Sequence, residues 1–380
     1  MNYQNIDPNL QPKLNNKPGK ANEPDGKDNE DLEDDVDTEI FDEYVPSPDI
    51  RGHAHPSPLI ETTALSSVKL PRLLYQLQLP QELIDEALLS TAQIETICYA
   101  CQIHDAPFTV DGYRKGYFIG DGTGVGKGRQ LAGITITITI TITITITITI
   151  TITITITLLL LGIILENVIK HNILKHVWIS ASANLMEDAK RDLRDIDFER
   201  FSGMDLPCTN IIDTKETSEL PRSGIIFSTY AALIRRKKQI IEWLSNDFEG
   251  CLIFDESHRA KGLNLDSDSI TKTEKHSTKT GLTVKEIQEK LPRARVVYCS
   301  ATGATNAENL GFMSRLNLWG NDDGNKEAVF KQFNDFKEAA RRGGIGLMEL
   351  TSSFLKAHGQ YNSRTLSYEG IISHTLYINY

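Results

Sequence analysis

From Gly120 to Gly128 every second residue is glycine, in the run Gly120-Asp121-Gly122-Thr123-Gly124-Val125-Gly126-Lys127-Gly128-Arg129. Such spacing lets successive backbone amides face inward around an anion, and a helix N-terminus beyond the loop adds positive dipole. The stretch Gly116–Gly120 reads as a short buried strand entering this loop, with a helix expected after it. In that order of elements, Lys127 would reach the β and γ phosphates of a nucleotide, with Gly122, Thr123, Gly124, Val125, Gly126, Gly128 and Arg129 around them. Two positions depart from the strict pattern G-x-x-x-x-G-K-[ST]: Asp121 replaces the first glycine, and Gly128 stands where a Mg2+-binding hydroxyl belongs. A glycine-rich turn can also be purely structural, so the loop needs a second element beside it.

That element is Leu252-Ile253-Phe254-Asp255-Glu256-Ser257-His258. An apolar strand ending in two carboxylates puts Asp255 where it can hold Mg2+, directly or through water, and Glu256 where it can polarise an attacking water. Acidic strand ends are common, but a glycine-lysine loop followed by D-E-x-H on a later buried strand is a two-part ATPase signature. Ser300-Ala301-Thr302 follows the apolar run Arg295–Cys299; in helicase-like ATPases such a run links the phosphate site to the nucleic-acid side. A polar strand terminus would look the same, and only its place after the other two elements gives it weight. Gln93, ahead of the glycine loop, is a candidate for reading adenine.

Apolar runs at Gly116–Gly120, His176–Ser180, Gly224–Ser228, Cys251–Phe254 and Arg295–Cys299 are separated by stretches long enough for helices. This alternation predicts an α/β fold with a parallel, doubly wound sheet. Between Pro80 and Ile103 apolar residues recur at helical spacing. Cys98, Cys101 and His104 share one face of that helix; with no second cysteine pair at zinc spacing, a buried face is the preferred reading over a metal site. Arg235-Arg236-Lys237-Lys238 reads as the exposed face of a helix, with a DNA contact or import signal as the alternative.

The formal net charge is -11, yet residues 1–60 hold fourteen Asp/Glu against five Lys/Arg, a net of -9. The remaining -2 leaves the rest of the chain free to bind nucleic acid. Residues 1–42 are too polar to offset the entropy of ordering and are expected to form a disordered acidic tail. Residues 134–157 are twelve consecutive Ile–Thr pairs, followed by Leu158–Leu161. As one strand they would reach about 80 Å, and as a helix they would sum roughly 12 kcal/mol of β-branched penalty against Ala. They read as a low-complexity insert, about 134–161, in an ordinary helix, and no membrane association is expected. Five cysteines without a signal peptide suggest reduced thiols in the cytosol or nucleus.

Gly120–Arg129 with Ala132-Gly133, Trp178-Ile179-Ser180, and Asp192–Ile196 resemble the strawberry notch family. So do Phe254–Lys261, Tyr298–Ala304, Leu316–Gly320, Gly346–Glu349 and Arg364–Ser367. The resemblance implies the N-terminal, RecA-like ATP-binding lobe of a helicase-like ATPase of the superfamily-two type. It assigns that lobe to 43–330, and makes 331–380 the start of a following helical or linker region, cut short before the second lobe. ATP and Mg2+ would be the cofactors. The resemblance further implies a nuclear transcriptional regulator with DNA, chromatin, histones or transcription regulators as partners. A non-catalytic nucleotide-binding or interaction scaffold is the competing reading.

Overall fold

The computed structural model describes residues 40–55, 58–121, 159–183, 185–195, 197–204, 206–261, 278–301, 306–320 and 328–367. Among these, ten strands follow in chain order: β1 (Phe41–Glu43), β2 (Leu59–Thr62), β3 (Tyr117–Ile119), β4 (Lys175–Ser180) and β5 (Cys208–Asn210), then β6 (Gly224–Thr229), β7 (Cys251–Phe254), β8 (Arg295–Cys299), β9 (Tyr361–Asn362) and β10 (Thr365–Leu366).

Seven of them form one sheet in the order β5-β6-β4-β7-β8-β3-β9, and each neighbouring pair is parallel. The inner strands are almost wholly buried, which is why they appear in the sequence as unbroken apolar runs rather than alternating ones. Their side chains still alternate between two core layers. Tyr117, Ile119, Trp178, Ile253 and Val297 pack with Ile97, Cys101 and the leucines 159–161. Phe118, Val177, Ile179, Leu252, Phe254 and Val296 pack with Leu233, Ile240, Val284, Ile287 and Phe336. Helices therefore cover both faces, and the expected α/β doubly wound arrangement is what forms.

Capping side chains set the helix starts. Thr229 accepts from the Ala232 amide at 3.2 Å at the head of helix Tyr230–Leu244, and Thr278 accepts from Gly281 at 3.1 Å at the head of Lys279–Lys290. The helical spacing over Pro80–Ile103 resolves into two helices, Gln81–Asp85 and Thr91–Asp105. Ala87 breaks the path with φ 56°, and Ser90 with Gln93 forms a reciprocal capping box that starts the second helix.

Three expectations shift. The tail was placed over 1–42, but Phe41 and Asp42 pair with Thr62 and Glu61 in a small antiparallel sheet, β1-β2-β10; residues 1–39 lie outside the described ones. The insert was placed at about 134–161, but residues 159–171 are helical and Leu159, Leu160 and Leu161 are buried in the core; residues 134–158 lie outside the described ones. A region boundary was expected at 330, yet β9 hydrogen-bonds in the same sheet as β3, and the Lys356 ammonium at the end of helix Phe333–Ala357 pairs with buried Glu61 at 2.7 Å. No helix among the described residues is long and apolar enough to cross a membrane.

Candidate nucleotide site

In open parallel sheets ligands bind beyond the C-terminal ends of the strands, and here three adjacent strand ends carry the candidate residues. β3 runs into Gly120 and Asp121, β7 into Asp255 and Glu256, and β8 into Ser300 and Ala301. Backbone hydrogen bonds hold the ends level: the Ser300 amide donates to Ile119 O at 3.0 Å, and Asp255 N to Ile179 O at 2.8 Å.

Asp255 is half-buried. Its Oδ2 accepts from Ser180 Oγ at 2.9 Å and its Oδ1 from the Glu256 amide at 2.9 Å. Its carbonyl accepts from the Tyr230 hydroxyl at 2.9 Å. Desolvation dominates and pushes the carboxyl up to about 6; the Ser180 hydrogen bond opposes this, and the Glu256 charge adds to it.

Glu256 occupies the left-handed region, φ 47° and ψ 48°, a costly conformation for a non-glycine residue. A short 3-10 helix, Ser257–Ala260, follows directly and carries His258. His258 Nδ1 lies 3.3 Å from Glu256 Oε2 and 3.2 Å from Ser300 Oγ. One ring thus touches both the acidic pair's strand and the Ser-Ala-Thr strand. Beneath them the Cys299 thiol is pushed well above its ordinary value by burial, and then by the charges of Asp255, Glu256 and Asp121. Three carboxylates therefore converge on one sheet end.

Gln93 is buried, and its Oε1 accepts from the Ser90 amide at 2.8 Å and from Ser90 Oγ at 2.9 Å. Ala301 is half-buried next to Ser300. Gly122–Arg129, including Lys127, and Thr302 lie outside the described residues. Cys98, Cys101 and His104 are buried on their helix; His104 Nε2 meets Val296 O at 3.1 Å, and burial lowers its pKa to about 3. In the basic run, Arg236 reaches Thr214 O, Lys237 pairs with Glu286, and Arg235 and Lys238 are exposed.

Sequence reasoning missed Ser180 and Tyr230 as the groups that orient Asp255, and His258 as the bridge to Ser300. It also missed Arg364, whose guanidinium grips Asp121 with Nη2–Oδ2 2.7 Å and Nε–Oδ1 3.1 Å. Ser180, His258 and Arg364 lie in stretches that carry the family resemblance, and His258 closes the D-E-x-H run, but no local signal names the partner of any of the four.

Residues 54–143 and 155–380 match the family described as "P-loop containing NTP hydrolase pore-1". The chain belongs to that family. The resemblance to strawberry notch proteins is borne out by curated relatives. Protein strawberry notch homolog 1 of Gallus gallus is 37% identical over 345 residues, covering 88% of this chain and 24% of the relative. Protein FORGETTER 1 of Arabidopsis thaliana is 37% identical, covering 87% and 23%. Protein strawberry notch of Drosophila melanogaster is 38% identical, covering 88% and 18%. The chain thus spans about a quarter or less of the length of these relatives. Among solved structures, a Sulfolobus solfataricus SWI2/SNF2 ATPase core in complex with dsDNA is 13% identical with a TM-score of 0.44, covering 78% of this chain and 47% of that one. A DUF1998 helicase MrfA bound to DNA is 12% identical with a TM-score of 0.35, covering 73% and 30%.

Proposed function

We propose that this P-loop NTPase chain is the ATP-binding lobe of a helicase-like, strawberry notch-type regulator. In this reading the amides of Gly122–Gly128 and the Lys127 ammonium hold the phosphates, Arg129 follows them, and Gln93 faces the adenine. Asp255 would hold Mg2+, and Glu256 would polarise the attacking water. Ser300, Ala301 and Thr302 would couple the phosphate site to nucleic acid.

The observation that carries the reading is the half-buried Asp255 at the shared end of β3, β7 and β8. Burial raises its carboxyl to about 6. Its Oδ2 accepts from Ser180 and its Oδ1 from the Glu256 amide, which leaves lone pairs for a hard cation. Among the described residues no group of three or more His, Cys, Asp or Glu closes a metal site alone. This suits Mg2+, which is ordinarily held by one or two carboxylates plus water and substrate phosphates. When bound, Mg2+ would supply charge neutralisation at the β and γ oxygens. The protein's part is orientation: Ser180 and the Glu256 amide fix the Asp255 carboxylate, and His258 fixes the Glu256 turn against Ser300.

A nuclear location, action in transcription, and DNA, chromatin or histones as partners are supported by the strawberry notch likeness alone. The test of the site is calorimetric titration of ATP with Mg2+ into the chain. Binding that disappears in Lys127→Ala is expected; equal binding by the two proteins would overturn the assignment.

A further inference from the structure

Asp121 stands where the strict phosphate-loop pattern has its first glycine, so a carboxylate enters a site meant for polyanions. The structure gives this residue a dedicated partner. Arg364, in the turn between β9 and β10, is almost fully buried and forks onto both Asp121 oxygens. Its own amide donates to Asp121 Oδ1 at 2.8 Å. The guanidinium is held in turn by Ala92 O at 2.7 Å and Thr96 Oγ1 at 2.7 Å, and it lies 5.0 Å over the Tyr44 ring. The same turn grips the neighbouring backbone, because the Gly120 amide donates to Asn362 O at 2.7 Å and Ser363 Oγ to Gly120 O at 2.9 Å. Glu95, buried nearby, is a second acid that feels the Arg364 charge.

We infer that Arg364 is a positioning residue of the nucleotide site. It neutralises and orients Asp121, so that a carboxylate at the head of the glycine loop does not repel the phosphates. The inference rests on the phosphate-loop reading above. The physical reason is that an uncompensated negative charge near a triphosphate in partly desolvated surroundings is strongly repulsive, whereas a forked Arg–carboxylate pair is close to neutral and geometrically fixed. Loss of a merely structural Arg364 would lower stability without weakening ATP more than adenosine.

The test compares Arg364→Gln, Arg364→Lys, Asp121→Asn and the double variant Arg364→Gln with Asp121→Asn in the full chain. Affinities for ATP and for adenosine are measured by calorimetry, and folding is checked by thermal melting. Arg364→Gln is expected to weaken ATP by roughly tenfold or more while adenosine changes little. Arg364→Lys, which keeps the charge but not the fork, should fall between wild type and Arg364→Gln, and adding Asp121→Asn to Arg364→Gln should restore most of the ATP affinity. A folded Arg364→Gln that binds ATP like wild type overturns the inference. So does a folded double variant no better than Arg364→Gln. Should Arg364→Gln fail to fold, the double variant decides alone, because it removes both charges: ATP affinity within about threefold of wild type supports the inference, and a loss beyond about tenfold overturns it. Failure of the underlying site reading looks different, since wild type and Lys127→Ala would then bind ATP equally or not at all.

Discussion

At the residue scale the half-buried Asp255 sets a pH dependence with a definite sign. Its folded-state value is about 6 against an ordinary 3.8, so between those values the folded chain keeps a proton that the unfolded chain has released. The stability this contributes is complete below about pH 4 and is lost as the pH rises through about 6. Asp255→Asn should therefore stabilise the chain at pH 7 by about 1–3 kcal/mol, the lower part of that range allowing for the residue being only half-buried. It should also flatten the profile between pH 4 and pH 7. Urea denaturation at both pH values checks this, and a variant less stable than wild type at pH 7 would contradict it. Mg2+–ATP affinity should run the other way, tightening from pH 5 to pH 7 as Asp255 ionises, and the trend should vanish in Asp255→Asn. Glu256 offers a second measurement. Its left-handed backbone, φ 47°, predicts that Glu256→Gly is more stable than Glu256→Ala by about 1 kcal/mol, because only glycine adopts that geometry without strain. Equal unfolding midpoints would show that the turn stores no strain.

At the scale of elements the informative helix is the one described over 159–171, which includes Leu159, Leu160 and Leu161. A β-carbon on Gly162 would come within 2.5 Å of Ile97 Cδ1, so the helix approaches Thr91–Asp105 closely at that point. Leu159–Leu161, just ahead of Gly162 in the same helix, fill the core. Two deletions of equal length can remove the Ile–Thr repeat. One removes 134–162, so that Gly133 takes the place of Gly162, but Ala132 then stands for Leu161 and Gln130 for Leu159. The other removes 130–158 and keeps the leucines. Both should raise solubility by removing a long β-prone apolar run. The second should be the more stable by about 2–5 kcal/mol, the usual cost of a buried Leu→Ala exchange. Denaturation midpoints of the two proteins give the comparison, and a more stable 134–162 deletion would put the leucines outside the working core.

At the scale of the whole molecule, phosphoryl transfer needs a positive charge opposite Lys127, worth about 10³–10⁵ in rate in related systems. The described arginines that follow Ser300 are committed elsewhere. Arg315 is buried and donates to Pro292 O at 2.8 Å and Leu291 O at 2.9 Å. Arg341 and Arg342 are exposed and bound to Glu338, and Arg364 is engaged with Asp121. The 380-residue chain by itself is therefore expected to release phosphate from ATP at or near background, with or without DNA. A DNA-stimulated rate of several per second that is lost in Glu256→Gln would contradict this and would mean that a second copy of the chain supplies the charge.

The sequence by itself determined the inner strands and the order of the motifs. A strand covered on both faces must be apolar throughout, and a strand that ends in functional residues must switch abruptly from apolar to polar, so both leave a local trace at Gly116–Gly120, Cys251–Glu256 and Arg295–Ala301. The edge strands β5 and β9, three and two residues long, leave no such trace because so short a run has no period to read. Only the tertiary structure decided how the site is assembled. Ser180 meets Asp255 across 75 residues, His258 meets Ser300 across 42, and Arg364 meets Asp121 across 243. Each pairing depends on strand order and register, which are set by how the helices cover both faces of the sheet. Periodicity in a linear chain identifies which face a side chain belongs to, but carries no information about which distant residue will face it.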